Sequence, residues 1–324
     1  MNKNLKITLS FGLLLSLFSS NAQIINLSDF SDSTVYPSLS VNEQQLSNQT
    51  IFNSTDKIIH PDSLLKFFYP GNLYRFFYGE GDTTSVVLWN CPSCKIDTFM
   101  LSGLEDSLYY VDTVIYDTRL LLLDYFTDAK NDRYAWFAAN TTPYQSEFLL
   151  TGRFCSGILS VGLLKLQPEG WRVITYNNSV GCFGQFCMAP KPNIVEYKKS
   201  SFGLMFTDYF GGFGGPFTGT KFLYDFDGKS IVNLLIFDNS NFSFTDSSYW
   251  DTQLNSFNND TLELITEGKL LKKDFTELEY DFSILPDELK NAFKKKSSFS
   301  FTYIRHFALK QNKYSLINTN FKIK

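Results

Sequence analysis

Histidine is nearly missing from this sequence: its 324 residues include two, His60 and His306. A catalytic triad or a histidine-rich metal site has little to draw on, and no Gly-x-Ser-x-Gly nucleophile motif occurs. Each histidine is therefore expected to be structural, His60 ahead of a short helix and His306 inside an apolar strand pattern. Positive charge falls short of negative, 29 Lys and Arg against 33 Asp and Glu, with a formal charge of -4 and a pI near 5.3. The run Lys294-Lys295-Lys296 reads as a helix end, where cations complement the dipole, and nucleic acid is not expected as a partner. After the first residues no apolar run approaches the roughly 20 residues that a membrane-spanning helix needs. The mature chain is expected to have no transmembrane segment. Cysteines number five, so one is left over if every bridge is intramolecular.

What is present begins with an export signal. Lys3 and Lys6 form a basic start, Ile7 to Phe18 is a short apolar run, and Ser20-Asn21-Ala22 is a small-x-small junction before Gln23. Residues 1–22 are read as a cleaved signal peptide, residues 23–56 as a polar leader or arm, and 57–324 as one β-rich domain. Loss of the two lysines makes the mature chain more acidic still. The expected location is periplasmic or extracellular. The abundance of Asn, Lys, Phe and Tyr resembles exported proteins of AT-rich Gram-negative bacteria.

Phenylalanine and tyrosine, 33 and 18 residues, favour strands. Apolar or alternating runs recur from Leu73 to the C-terminus between Asp, Asn, Gly and Thr clusters. Helices are expected only at Pro61–Phe68 and Pro286–Lys296, each opened by proline and acidic residues. Parallel α/β folds would need many more. The fold class is accordingly all-β, mainly antiparallel hairpins with two short helices. Strand starts near 134, 202 and 262 suggest a degenerate β-propeller-like repeat, with a large β-sandwich as the alternative.

The organising stretch is Phe154 to Cys187. Pro168 and Gly170 mark a three-residue hairpin turn with a glycine bulge. Opposed residues then have numbers summing to about 337 or 338 in this register. That places Cys155 across from Cys182 or its neighbour as a possible disulfide, with Cys187 competing for either. Asp227-Gly228 marks a second hairpin. The residues Ser160 to Arg172 (SVGLLKLQPEGWR), Ala189-Pro190-Lys191-Pro192, Phe202-Gly203-Leu204 and Tyr209-Phe210-Gly211-Gly212 resemble an uncharacterised group of exported bacterial β-repeat proteins. The resemblance covers the middle third of the chain and implies no activity, so no functional residue carries over.

Several echoes of chemistry lack their context. Cys91-Pro92-Ser93-Cys94 has the spacing of a redox motif without the helix that lowers a thiol pKa, so a local or structural disulfide is expected there. A zinc knuckle with Cys182 and Cys187 is a lesser alternative. Phe210 to Gly219 (FGGFGGPFTG) has the glycines of a phosphate loop without a following helix. It reads as a surface loop, and Phe210, Phe213 and Phe217 are its candidate binding residues. Asp225-Phe226-Asp227-Gly228 echoes a calcium loop but is better explained as a hairpin turn. No cofactor or metal is expected. The resulting expectation is an exported β-scaffold that binds a glycan, peptide or partner protein. A secreted hydrolase with an unrecognised site is the alternative, and a structural envelope protein a third possibility.

Overall fold

The structure, a computed structural model, describes residues 50–52, 57–77, 83–90, 115–143, 156–210, 217–241, 248–258, 261–273, 287–310 and 313–324. Cys91, Cys94, Cys155 and Phe213 lie outside them, as does the proposed signal peptide.

The fold is all-β and antiparallel, as expected, with two short helices. One sheet holds β1 (Thr50–Phe52), β2 (Asn72–Phe77), β3 (Thr83–Asn90), β4 (Ile115–Thr127), β5 (Arg133–Pro143), β6 (Gly157–Gln167) and β7 (Gly170–Phe183), in the order β1-β7-β6-β5-β4-β3-β2. A second sheet of the described residues holds β8 (Asn193–Lys198), β9 (Ser201–Phe210), β10 (Phe217–Phe226), β11 (Ile231–Asn241), β12 (Tyr249–Asn258), β13 (Thr261–Leu271), β14 (Ser298–Lys310) and β15 (Lys313–Ile323), in reverse chain order. Within each sheet the strands from β2 to β7 and from β8 to β15 each pair with the next in sequence, while β1 pairs with β7 at the sheet's edge. The three repeat starts fall on β5, β9 and β13, four strands apart along the chain. Each lies within one of these meanders.

Helix α1 (Pro61–Phe68) begins with proline, carries Asp62 in its first turn and Lys66 in its last, and buries Leu64, Leu65 and Phe68. These side chains lie against one face of the first sheet, with Ala135, Phe137 and Ala139 of β5 and Trp171 of β7. Strand alternation turns the intervening Trp136 and Ala138 to the opposite face. There they share a core with Leu204 and Phe206 of β9, Tyr224 of β10 and Ile231 of β11. The first sheet is thus apolar on both faces, and the Trp136 indole N–H donates to Phe202 O at 3.1 Å across the junction. Phe137 lies over Gly162, its ladder partner, where a Cβ would collide with the ring. A third core fills the second sheet around Leu223, Leu235, Leu264 and Phe307. Helix α2 (Asp287–Phe293) covers a fourth around Leu270, Phe299 and Phe301.

The central hairpin departs from expectation in two ways. Its turn is the two residues Pro168 and Glu169, with Gln167 paired to Gly170, whose φ of 128° only glycine adopts readily. The expected register holds from Gln167↔Gly170 to Val161↔Asn177 and then slips, so that Ile158 faces Cys182. The position opposite Cys182 is therefore not that of Cys155. The extra β7 residues are absorbed at Asn177-Asn178-Ser179, where Ser160 Oγ donates to Asn178 O at 2.7 Å and Asn177 Oδ1 accepts from Ser179 N at 3.0 Å. The Asp227-Gly228 hairpin forms as read, with Phe226 paired to Ile231. Asp227 Oδ1 accepts from the backbone N–H of Lys229 and Ser230 at 2.8 and 2.9 Å, so this carboxylate caps its own turn.

Candidate functional site

The outlying feature of the backbone follows β7. Gln185 and Met188 pair as an isolated bridge, Met188 N donates to Gln185 O at 3.1 Å, and both residues between them have positive φ: Phe186 at 54° and Cys187 at 59°. These are the φ signs of a type I′ turn, which ordinarily takes Asn-Gly or Gly-Gly. For residues with a Cβ the left-handed conformation costs about 1 to 2 kcal/mol each. The turn puts Cys187 inside and leaves Phe186 60% exposed.

Surrounding groups hold this strained turn. The buried Asn140 of β5 reaches it with both ends of its amide: Nδ2 donates to Cys187 O at 3.1 Å, and Oδ1 accepts from Ala189 N at 2.8 Å. Gly184, at φ 78°, donates its N–H to Asp208 Oδ1 at 2.6 Å, and its carbonyl accepts from Ser156 Oγ at 3.1 Å. A Cβ on Gly184 would collide with the Met188 carbonyl. Burial pushes the Asp208 carboxyl up, against the Gly184 N–H that stabilises its charge. The next residue, Tyr209, is 48% exposed, and Met188 is 37% exposed. Phe186 and Met188 thus form an exposed apolar rim on the turn that follows β7, while Tyr209, next to Asp208 in β9, lies on the other face of that strand.

The glycine-rich connection begins at the end of β9. Phe210 closes β9 and Phe217 opens β10, with Thr218 paired to Phe210. A strand follows the glycines, which excludes the helix that a phosphate loop requires.

Other titratable groups are spread elsewhere. The Tyr197 hydroxyl of β8 donates to Asp225 Oδ2 of β10, and burial pushes the Asp225 carboxyl up to about 6. Burial, then the neighbouring Asp225 charge, push Tyr197 well above its ordinary value. His306 Nε2 lies 2.9 Å from Glu263 Oε2, while Asn255 Nδ2 donates to Glu263 Oε1 at 2.5 Å. His60 is exposed and serves α1 through its backbone, its carbonyl accepting from Leu64 N at 3.1 Å. Under α1, Trp89 donates to Thr118, Thr118 is 2.8 Å from Thr141, and Tyr176 donates to Tyr69, a buried polar thread that links β3, β4 and β5. Among the described residues no group of three or more His, Cys, Asp or Glu is placed to hold a metal ion. Comparison of the chain with protein-family models, curated proteins and solved structures finds no match.

Proposed function

We propose that this chain is an exported β-scaffold protein that binds a glycan, peptide or partner protein through the rim of Phe186 and Met188. Exposed Phe186 on a left-handed backbone carries the reading. A strained position held by a buried amide and a half-buried carboxylate is a place where structure is maintained against local preference, as at ligand clamps. An aromatic ring presented there loses little entropy on contact. The glycine-rich connection that carries Phe210, Phe213 and Phe217 follows β9 in the sequence and is a second candidate for the contact. Export rests on the basic start, the apolar run and the Ser20-Asn21-Ala22 junction. It predicts a mature N-terminus at Gln23, which mass spectrometry of cell fractions would read; an intact Met1 terminus in the cytoplasm would refute it.

Binding is tested by presenting mature protein to arrays of soluble glycans and peptides beside Phe186→Gly and Met188→Ala variants. Glycine fits φ 54° without strain, so Phe186→Gly should keep the fold and lose the captured ligand. Capture that survives both substitutions would refute the rim as the site. The hydrolase alternative has one observation in its favour, the Tyr197–Asp225 pair with its raised carboxyl. It requires turnover that Asp225→Asn abolishes.

A further inference from the structure

The net acidity of the chain hides a local basic surface. Residues Lys294, Lys295 and Lys296 follow α2, and backbone bonds from Lys295 N and Lys296 N to Ala292 O, both 3.0 Å, fold them back over its last turn. There they line a cleft of about 530 Å³ with Ala292, Ile323 of β15 and one acidic side chain, Glu288. Lys322 and Lys324 flank Ile323 in the chain, and Lys324 N is bonded to Ser300 O at 2.8 Å, so β14 fixes this end of β15 beside α2. All five lysines are exposed, and no ion pair among the described residues engages them. The nearest polar partner is neutral, Lys294 Nζ donating to Asn291 Oδ1 at 2.9 Å.

We propose that this cleft docks the chain on an anionic bilayer, its lysines meeting lipid phosphates and Ile323 meeting the headgroup boundary. Three features favour that partner. The cations are all lysine, point charges on flexible stems that suit mobile phosphates; a fixed carboxylate or a base edge calls for the planar fork of arginine. Their stems and the apolar Ala292 and Ile323 together form the amphipathic border that interfacial surfaces present. Ile323, 39% exposed, stands between lysines where a soluble polyanion has no apolar group to offer it. Sequence alone does not reveal the surface, because 294–296 and 322–324 meet only through the pairing of β14 with β15 and the packing of α2.

The test is cosedimentation of the mature chain with phosphatidylethanolamine vesicles containing about one third phosphatidylglycerol. The whole chain is the right reagent, because the sequence between 273 and 287 carries Asp274, Glu277, Glu279 and Asp281, and any neutralisation by them is then included. Binding is expected to anionic but not to purely phosphatidylethanolamine–phosphatidylcholine vesicles, and to be released by about 0.5 M salt. The triple variant K294Q/K295Q/K296Q should bind about a hundredfold more weakly. Ile323→Ser should weaken binding less, and circular dichroism should confirm both folds. Equal binding to neutral vesicles, no loss in the triple variant, or no vesicle binding at low salt would overturn the proposal. So would capture of heparin or duplex DNA without capture of vesicles.

Discussion

Asp225 is the residue whose protonation bears most directly on stability. Burial raises its carboxyl to about 6, above the ordinary carboxylate value that it regains on unfolding. Between about pH 4 and 6 the folded chain therefore holds more protons than the unfolded one, and stability falls as pH rises through that window. The contribution is fully present below pH 4 and lost above 6, at most about 3 kcal/mol. Urea titrations at several pH values should show this slope in the native protein and not in Asp225→Asn, which can still accept from Tyr197; a slope unchanged by the substitution would assign it elsewhere. Phe186 poses the opposite case, an unfavourable backbone kept in place. Phe186→Gly relieves the strain but adds freedom to the unfolded chain, so stability should change by less than about 1 kcal/mol. Asn140→Ala, by contrast, strands the buried Cys187 carbonyl and Ala189 N–H and should cost about 2 to 4 kcal/mol. Thermal unfolding of the two variants separates what displays the rim from what builds it.

The hairpins and helices that were legible in the sequence are those with punctuation of their own. Pro61 and Asp62 open α1, Pro168 and Gly170 bend β6 into β7, and Asp227-Gly228 turns β10 into β11, each through a backbone preference that needs no tertiary help. The rim was not legible for the complementary reason: Gln185-Phe186-Cys187-Met188 has neither Gly nor Asn at its left-handed positions. Asn140, from a distant strand, imposes the conformation. Only Gly184 hinted at it. The slip in β7 did have a signal, Asn177-Asn178-Ser179, three residues that prefer local side-chain bonds to a regular ladder. That slip bears on the disulfide. With Cys182 facing Ile158, and with Ser156, the residue after Cys155 in the sequence, bonded to Gly184 O, the start of β6 lies beside the turn that buries Cys187. We therefore predict a Cys155–Cys187 bridge, leaving Cys182 out of it. Peptide mapping without reduction should recover that pair, and a peptide joining Cys155 to Cys182, Cys91 or Cys94 would contradict it.

At the scale of the molecule, the two sheets of the described residues share one core through β5. Its odd residues Ala135, Phe137 and Ala139 pack with α1, while Trp136 and Ala138 pack with β9 and β10. A strand apolar on both faces reads as a continuous run, YAWFAA, and the sequence shows it as buried without showing against what. The second sheet was still less legible as a partner, since nothing local marks Leu204, Phe206 and Tyr224 as facing Trp136. Shared burial has a thermodynamic consequence. Neither sheet can lose its structure without exposing Trp136, Leu159 and Phe206, all within 3% of full burial, so the sheets should unfold together. Trp136→Ala removes the largest side chain at the junction and its bond to Phe202 O. It should cost about 3 to 5 kcal/mol and lower the midpoint for both sheets alike. Calorimetry together with near-UV circular dichroism would test this. A native protein that melts in two separated steps, or a Trp136→Ala variant that lowers one step and spares the other, would show that the sheets fold as independent units despite their common core.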